Sequence, residues 1–167
     1  MLPNNVIKYR ILPPKDHKSK EFIALRNDLL EAGYSEDNIN NLILTVEDTQ
    51  KVLNDLMINK ESVFYDFYQN GFEDPSPVDH FRDEIFGLSE ILEAHKNQFW
   101  EEYPEIEKSY LQLSSIEGEY SYFYNKETDA MYGVNWDEMD DLVAGKLKPL
   151  FTSFYDFLEW YYSEESE

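Results

Sequence analysis

Residues 117–136 read EGEYSYFYNKETDAMYGVNW, and from Tyr120 onward the side chains change character at every second position. Tyr120, Tyr122 and Tyr124 fall on one side of an extended chain, and Glu119, Ser121 and Phe123 fall on the other. After the polar turn NKETD the alternation resumes, with Ala130, Tyr132, Val134 and Trp136 set against Met131, Gly133 and Asn135. A period of two with a turn at its centre predicts a β-hairpin, here one with an aromatic face. This feature constrains the fold most, because nearly everything before it has the period of a helix.

From Ser19, Phe22, Leu25 and Leu29, flanked by Ile23 and Leu30, recur at helical spacing up to Gly33, a natural helix-stop residue. Ser35 is placed to cap a second helix, in which Ile39, Leu42, Ile43, Val46, Leu53 and Leu56 form one stripe through to about Ile58. ESVFYDFYQNG predicts a short third helix ending at Asn70-Gly71, and FEDPSPVDHF is a loop by its prolines. LSEILEAHKNQFWEEY, residues 88–103, returns to helical spacing until Pro104 stops it. SYLQLSS is a short strand, the hairpin follows, and TSFYDFLEWYYSE closes as a helix capped by Ser153 with Phe154, Leu158 and Tyr161 as its buried stripe. Before the first helix, VIKYRILPPKDHKSK predicts a short strand or ordered arm and then a loop.

These periods predict an α+β fold, a small antiparallel or mixed sheet with flanking helices. A chain of 167 residues, 42% hydrophobic and 16% aromatic, suits one globular domain. Within it, residues 1–60 are expected to form an N-terminal arm and helical extension packed on the core. Residues 61–162 are the α+β core itself, and 163–167 an acidic tail.

Charge narrows the function. Thirty-five acidic against fourteen basic residues give −21, unevenly spread. Residues 1–60 hold nine acidic and eight basic side chains, a net −1, whereas 61–167 hold twenty-six and six, a net −20. Such a field repels phosphate backbones and anionic lipid and favours a basic protein partner, so no direct nucleic-acid or membrane contact is expected. No apolar run approaches the roughly eighteen residues of a membrane span, and MLPNNVIKYR lacks a leader pattern, so a cytoplasmic location is expected. Cysteine is absent, which removes disulfides, thiolate nucleophiles and cysteine-ligated zinc.

Catalytic patterns are weak. Glu117 and Glu119 are paired carboxylates, yet glycosidase pairs face each other across a substrate from different elements. His17, His80 and His95 stand in no nucleophile motif. Asp137, Glu138, Asp140 and Asp141 resemble a calcium loop superficially, but its third position is Met139 and its sixth Leu142. No metal or cofactor is expected, and no glycine-rich phosphate loop is present. The residues point instead to recognition. Glu117, Glu119, Asp137, Glu138, Asp140 and Asp141 are candidates for charged contacts, with Tyr120, Tyr122 and Trp136 as aromatic anchors if exposed.

From VFYDFYQNG onward, over roughly residues 61–162, the order of segments resembles the Smi1/Knr4 group of the SUKH superfamily. The resemblance rests on the Asn-Gly corner, on FGLSEILEAHKNQFWEEYPE, on EGEYSYFYNKETDAMYGV and on the closing TSFYDFLEWYY. It departs from the family before the tyrosine-rich helix, where NKESVFYDFY stands in place of a Leu-Pro. The resemblance implies a non-enzymatic α+β interaction domain; separately, the chain is expected to be a monomer or weak dimer. Its function would be that of an immunity protein neutralising a basic toxin such as a nuclease. A regulatory scaffold and a metal-dependent hydrolase using the acidic cluster are the alternatives.

Overall fold

The computed structural model describes residues 1–11, 13–42, 45–72, 85–97, 109–114 and 120–163. Among them are eight α-helices, a three-stranded antiparallel sheet and a two-stranded ribbon, a mixed α+β architecture as expected. The chain opens with a single helical turn, α1 (Asn4–Ile7), and β1 (Arg10–Ile11), where the sequence predicts only a strand or arm. The helix α2 (Lys20–Glu31) begins where Ser19 Oγ accepts from the Phe22 amide and ends at Gly33, whose φ of +94° suits glycine.

The predicted long second helix is two helices, α3 (Glu36–Leu42) and α4 (Val46–Asp55). A capping box divides them. Thr45 Oγ1 accepts from the Asp48 amide while Asp48 Oδ2 accepts from the Thr45 amide, and these reciprocal bonds satisfy helix-start donors that a continuous helix would not have. The third predicted helix is α5 (Val63–Gln69), capped by Ser62. Its Asn70-Gly71 corner leads into β2 (Gly71–Phe72), which pairs antiparallel with β1. Helix α6 (Leu88–Asn97) covers the start of the segment predicted over 88–103, whose remainder lies outside the described residues, as does most of the proline loop after Phe72.

The sheet is β3 (Tyr110–Gln112), β4 (Tyr120–Asn125) and β5 (Met131–Asn135), in that order. Single bridges close its edges, Ile85 to Ser114 on one side and Phe151 to Met131 on the other. A 3₁₀ turn (Trp136–Glu138), α7 (Met139–Val143) and α8 (Phe154–Tyr161) complete the chain.

One face of the sheet, through Leu111, Tyr122, Tyr124 and Met131, packs into the main core. There it meets Phe64 and Tyr68 of α5, Ile91 of α6, and Phe154, Phe157, Leu158 and Tyr161 of α8. The rings interlock: Phe64 stacks on Tyr124 at 4.2 Å and 15° between planes, and it lies 4.9 Å from Phe154. Leu2 and Val6 of the N-terminal arm and Leu53, Leu56 and Ile58 at the end of α4 join this core. By contrast, α2 and α3 hold their own small cluster of Phe22 and Ile39 with Leu29 beside it.

Candidate interaction surface

The hairpin turn decides what the candidate residues do. Asn125 Oδ1 accepts from the Glu127 and Thr128 amides, the Asn125 amide donates to Ala130 O, and Asp129 takes a left-handed φ of 66°. This loop sets Tyr124 opposite Met131 and Tyr122 opposite Gly133. The register is one residue off the alignment that would gather all the tyrosines. Tyr132 and Val134 therefore lie with Phe123 on the second face, and the hairpin has aromatic rings on both faces rather than one.

Asp129 also holds the turn to α8. Its carboxylate accepts from Tyr124 Oη at 2.7 Å and from the Phe154 amide at 3.3 Å. Burial, and then the neighbouring Asp129 charge, push the Tyr124 phenol far above its ordinary range, so it stays a neutral donor. Close approach explains Gly133: a Cβ there would strike the Tyr120 ring, which crosses the strand at that point.

The face opposite Tyr122 and Tyr124, where the sequence sets Ser121 and Phe123, is not open to solvent. It is a second core layer instead. Phe123 and Val134 are buried beneath Met139 and Leu142 of α7, with Tyr110, Tyr132, Val143 and Leu147 around them. Ser121 is buried there too, its Oγ donating to Ser114 O at 2.7 Å, while Ser114 Oγ accepts from the Tyr122 amide at 2.8 Å. The cause is local: after β5 the chain turns through Asn135, whose amide and side-chain nitrogen both donate to Glu138 Oε1. That turn lays the Met139 and Leu142 side of α7 on the sheet. The helix then ends at Gly145, with φ of +73°, where the Lys146 amide donates to Asp141 O and the Gly145 amide to Leu142 O.

Helical spacing now sorts the candidates. With Met139 and Leu142 inward, Asp140 and Asp141 project to solvent, Asp137 is exposed and Glu138 half-buried. None of the four carboxylates is in an ion pair with a described residue. Trp136, at the start of the same turn, is 48% exposed. Tyr120 is half-buried against the main core. Tyr122 is 3% exposed and packs edge-on to Phe157 and Trp160, so it is a core side chain and offers no contact surface. Glu117 and Glu119 lie outside the described residues. The structure thus gathers Trp136, Asp137, Glu138, Asp140 and Asp141 on one turn and helix.

Among the described residues, no group of three or more histidines and carboxylates is arranged to hold a metal ion, and no helix is long and apolar enough to cross a membrane. The residues that the sequence pattern did not single out are Asp129 and the His17–Asp48 pair. His17 Nε2 lies 2.8 Å from Asp48 Oδ2 and the imidazole packs on Phe22 at 4.4 Å. The spacing Thr45-x-x-Asp48 carries the signal for the second of these, masked by an apolar period that runs straight through it. No protein-family model, curated protein or solved structure matches the chain.

Proposed function

We propose that this chain is a non-catalytic protein-binding domain that neutralises a basic protein, a toxin domain such as a nuclease, by docking the outward side of α7 against it. One observation carries the reading. Four carboxylates without ionic partners among the described residues, and a half-exposed tryptophan, stand on the 3₁₀ turn and the α7 helix that follows it, whose inner side is pinned by Met139 and Leu142. A rigid acidic surface with an aromatic edge suits a basic protein face, because charge speeds encounter and the indole supplies contact area at low entropic cost. The resemblance to the Smi1/Knr4 group supports the same reading, and so does the −20 carried by residues 61–167. A nuclease must present a basic face to hold nucleic acid, and that face is the natural target of such a surface.

The test is a capture from the native lysate at low and high salt, followed by kinetics on whatever basic protein is retained. Neutralising Asp137, Glu138, Asp140 and Asp141 to Asn or Gln should slow association about tenfold and flatten its salt dependence. Unchanged kinetics in that variant would remove α7 from the interface. A captured protein without a basic domain would remove the toxin reading.

A further inference from the structure

Asparagine followed by glycine occurs once in the chain, at Asn70-Gly71, and the fold sets this pair at the corner between α5 and the β1–β2 ribbon. The pair has a chemistry of its own. A backbone nitrogen that follows an asparagine can close a five-membered ring on the side-chain carbonyl carbon, and glycine, lacking a Cβ, leaves that nitrogen unshielded. Attack by Gly71 N on Asn70 Cγ, with the amide proton passing to water, forms the new C–N bond; the Cγ–Nδ2 bond breaks and ammonia leaves. Water then opens the succinimide at either carbonyl to give aspartate or isoaspartate. The sum is asparagine plus water going to carboxylate plus ammonium.

The native geometry opposes the first step. Asn70 is extended, with φ −103° and ψ 161°, which turns the Gly71 nitrogen away from Cγ. Its side-chain amide is held at both ends: Oδ1 accepts from Arg10 Nη2 at 2.6 Å, and Nδ2 donates to Asp66 O at 2.8 Å. Gly71 is paired with Ile11 in the ribbon, which keeps the corner extended. Two of these restraints come from β1, and a ribbon of two residues per strand has little stability of its own. It lasts while the N-terminal arm is seated. Leu2 and Val6 in the main core make that seat, together with Asn5 Nδ2 donating to Glu159 O at 2.9 Å and the Tyr9 ring 5.1 Å from that of Tyr162. A terminal segment opens more readily than the core on which it rests.

We propose that Asn70 is a modification site guarded by the seated arm. When the arm lifts, Arg10 releases Oδ1, Gly71 leaves the ribbon, and the asparagine converts to aspartate or isoaspartate. The conversion runs one way. Both products lack the Nδ2 donor that Asp66 O accepts from at the end of α5, and isoaspartate adds a backbone carbon at the corner, which displaces β2 from its register with β1. A transient opening of the arm is thereby recorded as a lasting change at its docking corner. The inference stands apart from the proposed function, and either can fail alone.

Incubation of the full chain at neutral pH decides it, with Asn70 followed by mass spectrometry of its fragments and isoaspartate told from aspartate by isoaspartyl methyltransferase labelling. A free peptide of residues 64–72 is the reference. Where the arm opens and closes faster than the ring forms, the rate in the chain is the peptide rate multiplied by the fraction of time the arm is open. Conversion is therefore expected at Asn70, about tenfold or more slower in the chain than in the peptide. Arg10→Ala, at an exposed position, should raise the chain's rate several-fold and leave the urea midpoint unchanged, and Val6→Ala, which loosens the seat, should raise the rate as well. Circular dichroism checks the fold of Val6→Ala, and Leu2→Ala takes its place should that variant not fold. Conversion in the chain at the peptide's rate would overturn the guarding role. A chain and variants that stay unconverted while the peptide reacts would overturn the site. So would an Arg10→Ala chain that converts no faster than wild type, or more slowly, since the guanidinium would then be assisting the attack by polarising the Asn70 carbonyl.

Discussion

Phe64 in α5 and Phe22 in α2 are both buried, at 0% and 4% exposure, but what surrounds them differs. The Phe64 ring touches Tyr68, Tyr124 and Phe154, in a core to which the arm, α4, α5, α6, the sheet and α8 all contribute. Phe22 has Ile39, Leu29 and the His17 ring. Where many elements share one core, loosening any of them exposes the rest, so the body opens as a unit. Where two helices share, among the described residues, a cluster of three side chains, opening them exposes less of that described core, and the hairpin is expected to separate at smaller free-energy cost. Among the described residues, shared core contact is thus concentrated away from the α2–α3 hairpin, which leaves Ile23, Leu25, Leu30 and Tyr34 partly exposed.

The largest expected effect tests that contrast directly. Phe64→Ala should lower global stability by about 3–5 kcal/mol, read as a shift in the urea midpoint. Phe22→Ala should move the midpoint far less and instead raise amide exchange across residues 20–42. Equal shifts from the two substitutions would show that the hairpin is an integral part of the body, and the contrast would fail.

Much of this division is present in the sequence, though not all of it. The helices around Phe22, Phe64, Leu88 and Phe154 and the hairpin near Tyr122 follow from local period and caps, because each is specified by residues within a few positions of one another. The break at Thr45 does not, since the apolar stripe of the sequence continues in phase from α3 into α4, whose start the capping box marks. Nor does the burial of Phe123: it depends on Met139 and Leu142 returning over the sheet, a contact between elements that no local pattern encodes. The acidic residues at 137–141 are legible as charge. The display of Asp140 and Asp141 on the outer side of a helix requires knowing which side of α7 is pinned.

A smaller effect sharpens the contrast at the joint between the two regions. Asp48 sits at the start of α4, and burial raises its pKa, but hydrogen bonds from Thr45 and His17 outweigh burial and leave the carboxyl below its usual value. A depressed carboxylate pKa contributes stability that is fully present above the unfolded value of about 3.9 and lost as pH falls through the folded value. Acidification from pH 5 should therefore loosen the α4 start and its tie to the loop before α2, seen as rising amide exchange at residues 17–22 and 45–49. Asp48→Asn should be flatter over that window. If wild type and Asp48→Asn titrate alike, this pair does not hold the hairpin to the body.

The smallest effect has the opposite sign and belongs to the body alone. Helix α4 ends at Leu56, followed by Met57 at φ 62°, with the Met57 amide donating to Asn54 O and the Ile58 amide to Leu53 O, each at 3.0 Å. The same arrangement ends α2 and α7, where glycine fills the left-handed position. A methionine there carries the Cβ clash of that conformation, and at 82% exposure it gains almost no burial in return. Met57→Gly relieves the clash and gives back part of the gain through the greater freedom of glycine in the unfolded chain. The balance should favour the folded state by about 0.5–1 kcal/mol, measured as a higher urea midpoint with an unchanged slope. Because Leu56 and Ile58 on either side are main-core residues, the gain should register in global unfolding and leave amide exchange in the α2–α3 hairpin unchanged. A loss of stability would mean that the Met57 side chain is held by the body after all, and a slowing of exchange in the hairpin would mean that the two regions share their stability.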